Sequence, residues 1–129
     1  MPQHIKKGAN ALIAEALDGL PTITVEEAMP LVDAGTHVFV DVREGSEQAK
    51  GVIRGAVISS RGLLEFHIDP DSPTHKPELV SDKICIFYCA TGGRSALAAK
   101  VAAEMGMGAV VNLTGGFSAW KKAGGPVSK

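Results

Sequence analysis

Cysteine is scarce in this chain. Its 129 residues hold two, Cys85 and Cys89, on or beside one strand-like run. At about 3.3 Å of rise per residue, four residues hold their Cα atoms roughly 13 Å apart, too far for a disulfide. A zinc centre needs more ligands at closer spacing, so no metal site is expected. Charge of one sign is also missing. Lysine and arginine number 13 against 14 aspartates and glutamates, for a net charge of −1. Without a basic field, nucleic acid is not an expected partner. No apolar run approaches the roughly 18 residues of a membrane span. Lys6 and Lys7 before Ala11-Leu12-Ile13-Ala14 imitate a signal peptide, but Glu15 and Asp18 interrupt the run and no cleavage site follows. With a lone reactive thiol suited to a reducing compartment, the expected location is the cytoplasm. Internal repeats and low-complexity tracts are absent as well.

What remains is ordinary globular material, 45% hydrophobic and 21% charged, enough for one domain with one core. Residues 1–20 read as a helical extension. Ile5, Leu12, Ile13, Ala16 and Leu17 make a loose helical stripe over 5–18 that should dock on the domain or on a second subunit, and Gly19 with Pro21 ends it. Residues 21–129 read as the domain proper. Pro21-Thr22-Ile23 suggests an edge strand. Thr24 and Glu27 form a capping box for a helix that Pro30 should kink or shorten. His37–Val42, Ala56–Ser59, Ile84–Tyr88 and Ala109–Leu113 read as strands. Ser46 is a candidate cap for a turn through Lys50, and Gly62–His67 reads as a short helix. Residues 68–82, with Pro70, Pro73 and Pro77, read as a long loop expected to border the site. Trp120 reads as a core anchor, and Gly124-Gly125-Pro126 as the release of the tail. Strands alternating with helices predict an α/β fold with a mainly parallel sheet of about five strands and helices on both faces.

The chemistry concentrates in Cys89-Ala90-Thr91-Gly92-Gly93-Arg94-Ser95. Ile84–Tyr88 before it is unbroken and apolar, as in a strand buried on both faces. Ala96–Met105 after it reads as a helix, with Leu97, Val101 and Met105 on one face. A loop with two adjacent glycines between strand and helix can aim several N–H groups inward as an anion nest. The helix start adds unpaired N–H groups, and Arg94 adds a full charge. All of these favour thiolate over thiol, and the thiolate is the nucleophile. Cys85, on the strand itself, reads as core filling. Asp41 and Cys89 should share the rim at the carboxyl ends of the strands. Asp41 and Arg43 then either belong to the surroundings of the site or brace its rim, as an ion pair or through loop hydrogen bonds, and the bracing reading is preferred here. Ser59, Ser60 and Arg61 should reach the same rim. Arg61 either clamps an anion in bidentate fashion or is a solvated charge at a helix start. His67 and His75 are possible proton donors, but a surface or packing role is the preferred reading for both.

Cys-x-x-Gly-x-Arg-Ser after a buried strand resembles the active-site loop of the rhodanese-like sulfurtransferases. Asp41-Val42-Arg43-Glu44, Gly51-Val52-Ile53-Arg54-Gly55-Ala56 and Asn112–Phe117, the last followed by Ala119-Trp120 and Gly125-Pro126, resemble three further blocks in the family's order. The resemblance implies a single rhodanese-like domain in which Cys89 takes a sulfane sulfur, holds it as a persulfide and passes it to an acceptor. The donor would be a small molecule such as thiosulfate or a persulfide, and the acceptor a thiol, cyanide or a protein. No metal, organic cofactor or histidine base is implied. Ala90, Thr91, Gly92, Gly93, Arg94 and Ser95 would line the substrate, with Arg61 assisting and Asp41 and Arg43 in support. Two departures stand out. Val52 replaces the family's histidine, and Ala90 and Thr91 stand where thiosulfate-specific relatives carry basic side chains. Two other functions compete. Tyrosine-type phosphatases place five residues between cysteine and arginine, whereas four intervene here, making a ring better suited to one sulfur than to a phosphate. A carrier module that relays persulfide to a protein partner would use the same cysteine.

Overall fold

A computed structural model describes residues 1–129 and places Ile84–Tyr88 in the middle of a five-stranded parallel sheet. The chain first forms α1 (Ala9–Leu17), which Gly19 closes at φ 78°. A left-handed residue there costs glycine little. The helix docks on the domain rather than standing free, and Ile13 lies against Gly93. β1 (Thr22–Ile23) is the expected edge strand. α2 (Val25–Ala28) starts at the capping box. The Thr24 N–H donates to Glu27 Oε1 at 3.0 Å, and the Glu27 N–H donates to Thr24 Oγ1 at 3.2 Å. Pro30 shortens it as expected, because the chain tightens into a 3₁₀ turn over Met29–Leu31.

Next come β2 (His37–Asp41), α3 (Gly45–Gln48), β3 (Val52–Ile53) and β4 (Val57–Ile58). A 3₁₀ turn over Arg61–Leu63 leads into α4 (Leu64–Ile68). β5 (Ile84–Tyr88), α5 (Gly93–Glu104), β6 (Val110–Leu113), α6 (Gly116–Lys122) and β7 (Val127–Ser128) complete the chain. The sheet order is β1-β6-β5-β2-β4, and every pairing is parallel. β5 is therefore central, which explains its unbroken apolar sequence.

Its side chains alternate between two cores. Cys85 and Phe87 join Val40, Leu64 and the α5 alanines Ala98, Ala99 and Ala102 on one face. Ile86 and Tyr88 join Phe39, Leu113, Phe117 and Trp120 on the other. Helices α4 and α5 cover the first face, α2 and α6 the second. The small α5 alanines permit close helix–sheet approach. Trp120 is fully buried, meets Phe39 edge-on at 5.4 Å, and donates its Nε1–H to the Pro126 carbonyl at 3.0 Å.

Three expectations need correction. The tail is not released after Pro126, because β7 pairs antiparallel with β3, Val52 opposite Ser128. Ser46 is not the cap of α3, which starts one residue earlier, and the Glu44 N–H is satisfied by Glu47 Oε1 at 3.0 Å. The expectation that the 68–82 loop borders the site fails for its two ends, although Lys76 in its middle donates to the Ile58 carbonyl at the carboxyl end of β4. Those ends, Ile68–Pro70 and Leu79–Lys83, line a cavity of about 490 Å³ with Met105–Ala109. Lys83 and Ala109 precede β5 and β6, so this cavity lies at the amino ends of those strands. Cys89 follows the carboxyl end of β5, a strand length away.

Candidate functional site

Cys89 is the first residue past β5, and Gly92 is the last before α5. Gly92 sits at φ 116°, a conformation L side chains rarely adopt. That turn aims its N–H at the sulfur, and it donates to Cys89 Sγ at 3.1 Å. The Ser95 hydroxyl donates to the same sulfur at 3.5 Å. Burial pushes the Cys89 thiol up, but bonds from the Ser95 hydroxyl and from the Ser95, Gly92 and Thr91 N–H groups outweigh it, and the net shift is down. Cys85 shows the contrast. Its sulfur has only the Leu79 carbonyl, at 3.5 Å, and burial pushes its thiol up to about 11.

The loop's carbonyls face the other way. The N–H groups of Phe117 and Ser118, at the start of α6, donate to the carbonyls of Cys89 and Ala90 at 2.8 and 3.0 Å. Asn112 Nδ2 donates to the Gly92 carbonyl at 3.3 Å. With the carbonyls of Cys89, Ala90 and Gly92 held outside, the N–H groups of Thr91, Gly92 and Ser95 are the ones that face the sulfur. Gly116 allows this approach. A Cβ there would stand 2.5 Å from the Cys89 carbonyl oxygen, and its φ is 57°. This anchoring by Gly116, Phe117 and Ser118 was not foreseen, although the Gly115-Gly116 pair was a visible signal of close backbone approach.

Arg94 is placed differently from expectation. It is not a free charge beside the sulfur. Its guanidinium makes a bidentate pair with Glu47, Nη1 to Oε1 at 2.7 Å and Nη2 to Oε2 at 2.9 Å. The pair holds the Glu47 carboxyl down at about 2 and raises Arg94, with the Cys89 charge adding to the effect on Arg94. Glu47 comes from α3, and nothing in its local sequence marks it as Arg94's partner.

Asp41 and Arg43 brace the rim as an ion pair, within the reading preferred above. Arg43 Nη2 lies 2.8 Å from Asp41 Oδ2, with the two side chains almost fully buried. Arg43 also donates to the Gly51 carbonyl at 2.6 Å, and its guanidinium lies 4.2 Å from the Phe117 ring centroid. Gln48 Nε2 donates to the Arg43 carbonyl at 2.9 Å. The pair thus ties the ends of β2, β3 and α6 together around the rim. The N–H of Val42 donates to the Tyr88 carbonyl at 3.1 Å, which sets the Asp41–Arg43 segment beside the chain entering Cys89.

Arg61 reaches the rim through its backbone, donating to the Val42 carbonyl at 3.0 Å, but its guanidinium is engaged by Glu65 at 3.1 Å. Ser59 and His67 are buried and hydrogen bonded to each other at 2.8 Å. Burial and the nearby Lys76 push the His67 pKa down. His75 Nδ1 is bonded to the His67 carbonyl at 3.0 Å. Neither histidine contacts the Cys89 loop by hydrogen bond. Cys89 itself is 1% exposed, while Ala90, Gly92, Gly93 and Arg94 of its loop are half-buried and Thr91 is exposed. A cleft of about 360 Å³ opens beside Ala90, lined by Arg43, Phe117, Ser118, Lys121 and Lys122.

An α/β domain with a cysteine in an amide-lined loop at the carboxyl end of its central strand defines a class, and comparison with known proteins gives the family. The rhodanese-like domain matches residues 24–123. A sulfurtransferase of Allochromatium vinosum is 33% identical over 97 residues, covering 75% of this chain and 83% of that one. The solved human single-domain sulfurtransferase superposes with a TM-score of 0.68 at 25% identity, over 81% of this chain and 97% of that one. A Rhodopseudomonas palustris protein, described as of unknown function and a possible tyrosine phosphatase, is 46% identical with a TM-score of 0.93 over 99% of both chains. This chain belongs to the rhodanese-like domain family.

Proposed function

We propose that this chain is a sulfurtransferase working through a persulfide on Cys89. The observation that carries the reading is the set of hydrogen bonds converging on one sulfur, from the Gly92 N–H and the Ser95 hydroxyl. The Cys89 thiolate attacks the outer sulfur of a donor such as thiosulfate. A Cys89 S–S bond forms as the donor's S–S bond breaks, and sulfite leaves with the bonding pair. The new terminal sulfur carries the negative charge, and the inward amides of the loop suit it. A thiolate or cyanide then attacks that sulfur and leaves with it, as a persulfide or thiocyanate, and the Cys89 thiolate returns. Two half-reactions through one covalent intermediate predict ping-pong kinetics.

In this reading Ala90, Thr91, Gly92, Gly93 and Ser95 frame the sulfur, Arg94 with its partner Glu47 stands beside it, Arg61 braces the rim through its backbone, and Asp41 and Arg43 support the rim. Both cysteines are free thiols, which fits a reducing compartment such as the cytoplasm. No helix is long and apolar enough to cross a membrane. The phosphatase reading suggested for the Rhodopseudomonas protein is disfavoured by the loop, which puts four residues between Cys89 and Arg94 and leaves a ring sized for a single atom. The test is turnover. Thiosulfate followed by cyanide should yield thiocyanate with the wild-type chain and with Cys85→Ser, but not with Cys89→Ser. Loss with Cys85→Ser alone would assign the chemistry to the wrong thiol. Release of phosphate from an aryl phosphate at a comparable rate would favour the phosphatase reading.

A further inference from the structure

Arg94 is the only charged side chain in the Cys89–Ser95 loop, and its charge is already matched. Glu47 holds both terminal nitrogens of the guanidinium, and the pair is only partly exposed, 37% and 32%. The other arginines of the rim are matched as well, Arg43 by Asp41 and Arg61 by Glu65. Lys121 and Lys122, on α6, form no salt bridge; they line the cleft beside Ala90 together with Phe117 and lie outside the Cys89–Ser95 loop. Within the loop itself a donor therefore meets the thiolate's own charge together with an arginine and a glutamate that cancel, so Arg94 has little net charge to offer it. A dianion is repelled there more than a monoanion, because the repulsion scales with the donor's charge.

We infer that Glu47 sets donor choice by neutralising Arg94, so that the pocket favours monoanionic sulfane-sulfur donors, such as thiosulfonates and persulfides, over the thiosulfate dianion. This rests on sulfur transfer through Cys89 as proposed above. Glu47 acts through Arg94 and is a positioning residue. Its hydrogen bond from the Glu44 N–H fixes the carboxylate in place.

Thiosulfate and methanethiosulfonate make a matched pair of probes. With each, the Cys89 thiolate takes the outer sulfur as the donor's S–S bond breaks. The bonding pair leaves with sulfite, a dianion, or with methanesulfinate, a monoanion, so charge balances in both reactions. The experiment measures kcat/KM for each donor, with cyanide as acceptor, in the wild-type chain, Glu47→Gln and Glu47→Asp. Glu47→Gln keeps a hydrogen-bonding side chain but removes the charge. It should raise kcat/KM for thiosulfate about tenfold and for methanethiosulfonate about threefold, so that the preference for the monoanion shrinks. A general rise in thiolate fraction would move both donors equally and leave the ratio untouched. Glu47→Asp, which keeps the charge, should keep the wild-type ratio. In the wild-type chain, loading by thiosulfate should speed up with ionic strength, since salt screens a net repulsion.

An unchanged donor ratio in Glu47→Gln overturns the inference, and so does a wild-type thiosulfate rate that falls with salt. The salt measurement stands even if Glu47→Gln folds poorly. Failure of both donors to place sulfur on Cys89 sinks the proposed function itself. Loading by both with a ratio blind to Glu47 sinks only the role of Glu47.

Discussion

The Gly92 amide nitrogen lies 3.1 Å from the Cys89 sulfur and donates to it across a turn that glycine makes possible. That contact depends on what lies outside the turn. The start of α6 holds the carbonyls of Cys89 and Ala90, which fixes the Ala90 and Thr91 N–H groups on the opposite side of the same peptides, and Asn112 holds the Gly92 carbonyl. The chemistry of one thiol thus depends on a helix about thirty residues further along the chain.

The two thiols should titrate apart. Ser95 gives the largest of the hydrogen bonds that lower Cys89. Ser95→Ala should move the midpoint of the Cys89 alkylation rate to higher pH, because it removes a hydrogen bond that favours the thiolate. Cys85 should stay unreactive in the folded chain at neutral pH. Rate–pH profiles for each thiol, read by peptide mass mapping, check both statements.

Cys85 also makes a prediction about stability. Its folded pKa is raised to about 11 by burial, from an ordinary value of 9.0. Below 9 both folded and unfolded chains hold the proton, and the contribution is complete. As pH rises from 9 to 11 the unfolded chain releases its proton first, and stability falls. Denaturant midpoints for the wild-type chain should drop across that window more steeply than for Cys85→Ala, whose midpoint starts lower because of the cavity.

Gly116→Ala should cost more than about 1 kcal/mol, because it adds a Cβ both at a positive φ and against the backbone of the Cys89 loop. Thiocyanate formation should fall with it. Gly108→Ala, with nothing within 4 Å of the added carbon, is the control and should be near neutral. Chemical denaturation of the two variants separates the outcomes.

Arg43→Ala leaves the Asp41 carboxylate buried without its partner and should destabilise the chain by about 3–5 kcal/mol. Arg61→Ala removes a partly exposed i,i+4 pair and should cost less than about 1 kcal/mol. Equal losses in the two variants would contradict the bracing role given to the Asp41–Arg43 pair.

Much of this architecture was legible because it is local. Ile84–Tyr88 announces a buried strand by itself, Thr24 and Glu27 are three residues apart, and Pro30 acts on its own helix. The turn from strand to helix at Gly92-Gly93 was legible for the same reason. What stayed hidden depends on partners distant in sequence. Arg94 and Glu47 are 47 residues apart and join two elements that only the folded sheet brings together. The β3–β7 pair involves two residues on each side, too few for any periodicity to announce. Prolines mark irregularity but not direction, so the 68–82 stretch gave no sign that its two ends lie at the amino ends of the strands while Lys76 reaches the carboxyl end of β4. Asp41 and Arg43, two residues apart, were within reach of a local reading, and the ion pair is present.

The central claim is that Cys89 carries the transferred sulfur. Intact mass spectrometry after exposure to methanethiosulfonate or thiosulfate, followed by peptide mapping, addresses it most directly. The account predicts one added sulfur atom per chain, on the peptide containing Cys89 and on that residue, removed again by cyanide. Sulfur found on Cys85, or a chain whose mass does not change with either donor, would contradict it.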